Sequence, residues 1–120
     1  MISIKDEVKD KLRGMIIDWH EHSSRRIYIS MKPGHIKEAA TLLFKDLKLR
    51  FVTATGLDTP AGIEILYHFS FDKTGEMFSV RVLIEDKKKP QLDSISPLVA
   101  AAEWSEREIW ELMGINFIGH

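Results

Sequence analysis

The residues best equipped for chemistry are five histidines and a run of glutamates near the C-terminus. His20 and His22 stand two apart. On a helix they point in different directions and chelate poorly. On extended chain such a pair can chelate, but no third ligand lies nearby. They read as surface histidines. His35 and His68 have no spaced partner, and neither matches a zinc-ligand pattern. Glu103, Glu106, Glu108 and Glu111 are denser. Two carboxylates can divide acid and base roles when their surroundings separate their pKa values. A structural or interface role fits these better. Glu108 has a capping position, early glutamates suit a helix N-terminus, and Arg107 can pair with Glu111 four residues on. There are no cysteines. That excludes disulfides, cysteine-held iron–sulfur clusters and a thiol nucleophile. No glycine-rich phosphate loop follows a strand, and no serine sits in a nucleophile elbow. No basic stripe interleaved with aromatics fits nucleic acid. The expectation is a chain with no cofactor, no metal and no catalytic activity of its own.

The element that presents the glutamates is a short C-terminal helix. Ser105 reads as its N-cap, Glu108 completes a capping box, and Trp104 with Ile109 forms a hydrophobic staple. Gly114 can take the left-handed conformation that closes it, with Ile115 folding back towards Trp110. Ile109, Leu112 and Met113 form the stripe that docks it. Trp104 and Trp110 lie six apart and leave the helix in different directions. One can anchor it to the domain while the other faces elsewhere, and each fits a core role or an interface role.

Upstream, the apolar spacing of Ile4, Val8, Leu12, Met15, Ile16 and Trp19 predicts a helix from about Ser3 to His22. Arg26 to Met31 is a strand. Pro33-Gly34 ends it, and a second helix runs from about His35 to Leu47 on Ile36, Ala39, Ala40, Leu43 and Leu47. Three strands follow, Phe51–Leu57, Ile63–Phe71 and Met77–Glu85, joined by hairpin turns and so antiparallel. In the second, Ile63, Ile65, Tyr67, Phe69 and Phe71 share one face. Asp86-Lys87-Lys88-Lys89-Pro90 reads as a solvated loop. Ser96-Pro97 starts a short helix to about Ala102. The fold class is α+β: residues 1–120 as one domain, two helices on one face of a mostly antiparallel sheet of about four strands, and short C-terminal helices. The other face, with Leu66, His68, Arg81 and Leu83, is mixed, and the C-terminal helices, a partner, or both are expected to cover part of it.

The totals agree with an ordinary globular domain: 44% hydrophobic, 29% charged, net charge −1. No global field draws it to nucleic acid or an anionic membrane. No apolar run approaches the roughly 20 residues of a membrane span, and no signal peptide is evident. A role at a membrane would need another subunit to hold the chain there.

The order Glu106-Arg107-Glu108-x-x-Glu111-Leu112-Met113, with His120 closing the run, resembles the signature of the 30 kDa subunit family of respiratory complex I. The family also takes in matching subunits of membrane-bound nickel–iron hydrogenases and formate hydrogenlyases. The approach from Asp93 to Trp104 is similar too, so the specific likeness covers about the last quarter of the chain. The family pattern continues past the histidine, so contacts made by that continuation are not carried over. The resemblance implies a non-catalytic structural subunit without a redox centre. It would dock beside the large catalytic and iron–sulfur subunits of an NADH:quinone oxidoreductase or related hydrogenase. It would lie on the cytoplasmic side of the cell membrane, meeting the membrane only through other subunits. The residues it assigns to the signature and to contact between subunits are Trp104, Glu106, Arg107, Glu108, Trp110, Glu111, Leu112, Met113, Gly114 and His120. The chain's compactness leans towards hydrogenase-type or archaeal complexes. The alternatives from the residues alone are an enzyme built on the glutamates or a histidine-bound metal, and a free-standing α+β domain that binds a ligand or regulates.

Overall fold

The Ser3 hydroxyl accepts from the Asp6 N–H at 3.2 Å and opens the first helix, α1, Ile4–Lys11. Ile4, Val8 and Leu12 recur every fourth residue and are buried. In this computed structural model, which describes residues 2–120, the helix stops far short of His22. Gly14 turns the chain with φ +85°, and Ile16–Ser23 is a strand, β1. The reason for the difference is a bulge. Ile16 pairs with Met31 and Trp19 with Ile29, so three residues on β1 advance against two on its neighbour. A bulged strand puts inward residues three apart and so imitates helical spacing.

β1 forms a hairpin with β2, Arg26–Met31. A tight turn at Pro33–His35 leads to α2, Ile36–Thr41, which ends in one wider turn where the Leu47 N–H reaches back to the Leu42 carbonyl at 3.0 Å. Ile36, Ala39, Ala40 and Leu43 bury its inner face as their spacing predicts. Next come β3, Arg50–Thr59, β4, Gly62–Phe71, and β5, Glu76–Ile84. These pair antiparallel as expected. β5 then lies parallel to β2, giving one five-stranded sheet in the order β1-β2-β5-β4-β3. The expected four strands become five because β1 replaces half of a helix.

The inner face carries Ile63, Ile65, Tyr67 and Phe69 from β4 and Phe78, Val80, Val82 and Ile84 from β5, all buried. α1 and α2 contribute their stripes to the same core. The fold is the two-layer α+β arrangement expected, with a mostly antiparallel sheet.

After β5 come β6, Gln91–Asp93, helix α3, Ala102–Met113, and β7, Asn116–Ile118. β6 and β7 form a separate two-stranded parallel sheet that no local pattern announces. The helix expected at Ser96–Ala102 is a pair of turns, closed by Val99 N–H to Ile95 carbonyl and Ala102 N–H to Val99 carbonyl bonds. α3 packs on the inner face beside β3. The C-terminal helix therefore does not cover the outer face, which leaves a partner as the other cover that was expected. Its residues Leu66, His68, Arg81 and Leu83 are half-buried only.

Candidate interface around the C-terminal helix

α3 begins at Ala102, three residues before the expected cap. Ala102, Ser105, Glu106 and Ile109 fall on its buried side. Ser105 is thus inside the helix, and its hydroxyl lies 3.3 Å from the Thr53 hydroxyl on β3. The capping box is not formed, and Glu108 is exposed. Packing of Ala102 and Ser105 against the core outweighs a cap, which is worth only about 1 kcal/mol. The closing end is as expected: Gly114 is left-handed at φ +71°, and its N–H bonds the Trp110 carbonyl at 2.8 Å. Ile115 is fully buried, but Trp110 stays outside.

Glu106 is the centre of the packed side. It is 0% exposed. The Tyr67 hydroxyl donates to Oε2 at 2.9 Å, the Ile95 N–H donates to the same oxygen at 3.0 Å, and the Ser94 hydroxyl donates to Oε1. Ser94 also meets the Ser96 hydroxyl at 2.8 Å, and its N–H bonds the Ile118 carbonyl at 2.8 Å. One carboxylate therefore ties α3 to β4, to the loop after β6 and, through Ser94, to β7. Burial, first, and then the charge of Glu106 and the bond to it hold the Tyr67 phenol well above its ordinary pKa. Tyr67 stays a donor. Three of the roughly four acceptor sites of Glu106 therefore serve the fold.

α3 comes close to the sheet at Gly56, against the Met113 side chain. A Cβ there would stand 2.7 Å from the Met113 sulfur, tighter than packing allows. Ile109 and Met113 dock the helix as predicted. Leu112 does not: it is 82% exposed. Trp104 and Trp110 are also outside, at 67% and 54%. Neither anchors the domain. Arg107 pairs with Glu111 at 3.4 Å on the exposed surface, as expected from their spacing. His120 donates from Nε2 to the Glu103 carbonyl at 3.0 Å and so draws the chain end back to the start of α3. Between α3 and β7 lies an open groove of about 540 Å³, lined by Glu103, Glu106, Arg107, Trp110, Asn116, Phe117 and His120.

The glutamates thus separate. Glu106 is buried, while Glu103, Glu108 and Glu111 are exposed, and of these only Glu103 lines the same groove as Glu106. Among the described residues no three His, Asp or Glu side chains gather as a metal site. Tyr67, Ser94, Thr53 and Gly56 complete this region without having stood out in the sequence. One signal was available: a tyrosine on a buried strand face needs a partner for its hydroxyl.

A sequence model described as "Respiratory-chain NADH dehydrogenase, 30 Kd subunit" matches residues 29–120. The chain belongs to that family. The C subunit of the NADH-quinone oxidoreductase of Chelativorans sp. is 30% identical over 119 residues, covering 94% of this chain and 58% of that protein. Its counterpart from Rhizobium rhizogenes is 28% identical, covering 92% of this chain and 57% of its own length. The chain therefore spans a little over half the length of these relatives. In fold, it matches a trypsin-resistant fragment of Nqo5 (TM-score 0.76, 23% identity, 98% of this chain and 94% of that one). It also matches a chain of the membrane-bound sulfane sulfur reductase, an archaeal respiratory membrane complex (TM-score 0.86, 21% identity, 98% of this chain and 69% of that one). The residues that the resemblance assigned to the signature divide into two sets here. Glu106, Met113, Gly114 and His120 hold the helix in place; Trp104, Arg107, Glu108, Trp110, Glu111 and Leu112 face outward.

Proposed function

We propose that this chain is a structural subunit of a complex-I-type respiratory assembly and that the outward side of α3 is its contact with neighbouring subunits. The observation that carries this reading is the exposure of Trp104, Trp110 and Leu112 on a helix locked from behind by Glu106. Large apolar side chains held rigidly at a surface are the usual anchors of protein interfaces. Ile118 on β7 is also exposed, at 47%. Arg107, Glu108 and Glu111 lie between Trp104 and Leu112 on the same exposed side and add polar contacts. In this reading residues 1–120 act as one domain beside the large catalytic and iron–sulfur subunits, on the cytoplasmic side of the membrane. No helix among the described residues is long and apolar enough to cross a membrane, so attachment goes through those partners. The relatives' names favour the NADH-quinone oxidoreductase type over a hydrogenase.

Affinity capture of the tagged chain from cells of its own source, with mass spectrometry, tests this. Recovery of a large catalytic subunit and an iron–sulfur subunit is expected. Their joint loss in a W104A/W110A/L112A variant that still folds would place the contact on α3. Recovery of the chain alone under conditions that keep membrane complexes intact would overturn the reading. The ligand-binding alternative rests on the groove between α3 and β7, and it requires that lone recovery.

A further inference from the structure

The outer face of the sheet carries a second, chemically different surface. Across three strands the register aligns Tyr28 of β2, Ser79 of β5 and His68 of β4 in one row. The row above it holds Arg26 and Met77. Together with Arg25 at the hairpin turn these residues line a groove of about 420 Å³. Much of the floor is satisfied internally, although the buried Arg81 Nε makes no well-aligned hydrogen bond. His68 Nδ1 lies 2.7 Å from the Ser79 hydroxyl, and Nε2 lies 3.3 Å from the Thr55 hydroxyl. Tyr28 is stacked under the Arg81 guanidinium at 5.2 Å, and Arg81 in turn lies 2.8 Å from Glu64. The rim is not satisfied. Arg25 and Arg26 are exposed, and neither forms an ion pair among the described residues. Two acids flanking the β4–β5 turn are already engaged: Asp72 by Arg50 at 2.9 Å, and Glu76 by the Thr74 hydroxyl at 2.8 Å.

Adjacent unpaired guanidinium groups over a half-apolar floor fit carboxylates, which arginine binds in bidentate fashion. An enclosed small anion fits less well, because the two arginines stand on an exposed rim. A membrane surface fits less well too, since electrostatic membrane binding takes a cluster of about four to eight basic residues. We infer that this groove seats an acidic segment of a neighbouring protein in the assembly, its carboxylates paired with Arg25 and Arg26 and its chain laid over Tyr28 and Met77. The domain would then be gripped on both faces, by apolar contacts on α3 and by charge on the outer sheet. This rests on the reading of the chain as part of an assembly, and the test lets the two fail separately.

A photo-crosslinking amino acid is placed in the full chain at Ser24, at the exposed turn beside the arginines, and separately at Trp110. Both are irradiated in the assembled complex. The Ser24 site is expected to capture an Asp- or Glu-rich segment of another subunit. R25E/R26E should weaken retention of the chain by about tenfold at low salt, less at high salt. Charge reversal of the captured segment should restore it. Capture of a partner at Trp110 with none at Ser24, or capture of a segment without acids, overturns this inference and leaves the α3 contact standing. Failure at both sites overturns the assembly reading as well. Sedimentation with phosphatidylglycerol vesicles that is lost in R25E/R26E would overturn it in favour of a lipid surface. Unchanged retention of the double variant would also overturn it.

Discussion

Tyr67 and His68 are neighbours on β4, yet they belong to different kinds of surface. Tyr67 points inward, is fully buried and donates to a buried carboxylate under α3. His68 points outward, is half-buried and shares hydrogen bonds with two hydroxyls on an open sheet face. Both networks are polar, but only the first contains a carboxylate sealed from water. A sealed network fixes one geometry, because every alternative leaves a polar group unpaired. The half-open one can exchange partners with solvent or with another chain. The inner side is built to hold α3 still, and the outer side is left available.

The sharpest way to break that contrast is to remove the buried carboxylate. Glu106→Ala leaves the Tyr67 hydroxyl, the Ser94 hydroxyl and the Ile95 N–H without their acceptor. Loss of about 3–5 kcal/mol is expected, as for other broken buried charge networks, and denaturant unfolding measures it. Tyr67→Phe removes one donor to that group and should cost about 1.5–3 kcal/mol. Gly56→Ala forces the Met113 sulfur away and should cost about 1–3 kcal/mol. Combining it with Met113→Ala should cost less than the two separate losses added together, and strict additivity would show that the two residues do not meet.

The outer network gives a smaller, pH-dependent effect. Burial lowers the His68 pKa from 6.5. The unfolded chain then takes up this proton before the folded one does, so His68 makes stability fall as pH drops through 6.5. His68→Gln should flatten that part of the stability–pH curve, and an unchanged slope would refute the assignment. The smallest stability change is expected at Trp104 and Leu112. Their replacement by alanine should alter the isolated chain by no more than about 0.5 kcal/mol, while retention in the assembly falls sharply. A large loss of stability there would mean that these side chains serve the fold after all.

Local pattern carried much of this molecule. The strict alternation of β4 and β5, the α2 stripe and the Gly114 stop depend on neighbouring residues, and each stands as read. The order of residues from Glu106 to His120 pointed to the family. The split of that signature was not legible, because Glu106 and Glu108 are the same residue type two positions apart. Which one is buried depends on where α3 starts, and that start is set by packing of Ala102 against the core. The bulge in β1 was hidden for a related reason: three-residue spacing is shared by a helix and a bulged strand, and pairing with β2 resolves it. The partners of Glu106 come from β4 and from the loop before α3, 39 and 11–12 residues away along the chain. Residue order alone set β3, β4 and β5, the apolar stripes and the family. Folding in three dimensions decided which carboxylate is sealed, which tryptophans stay outside and which sheet face is left open, because each of these depends on contacts between residues distant in the chain.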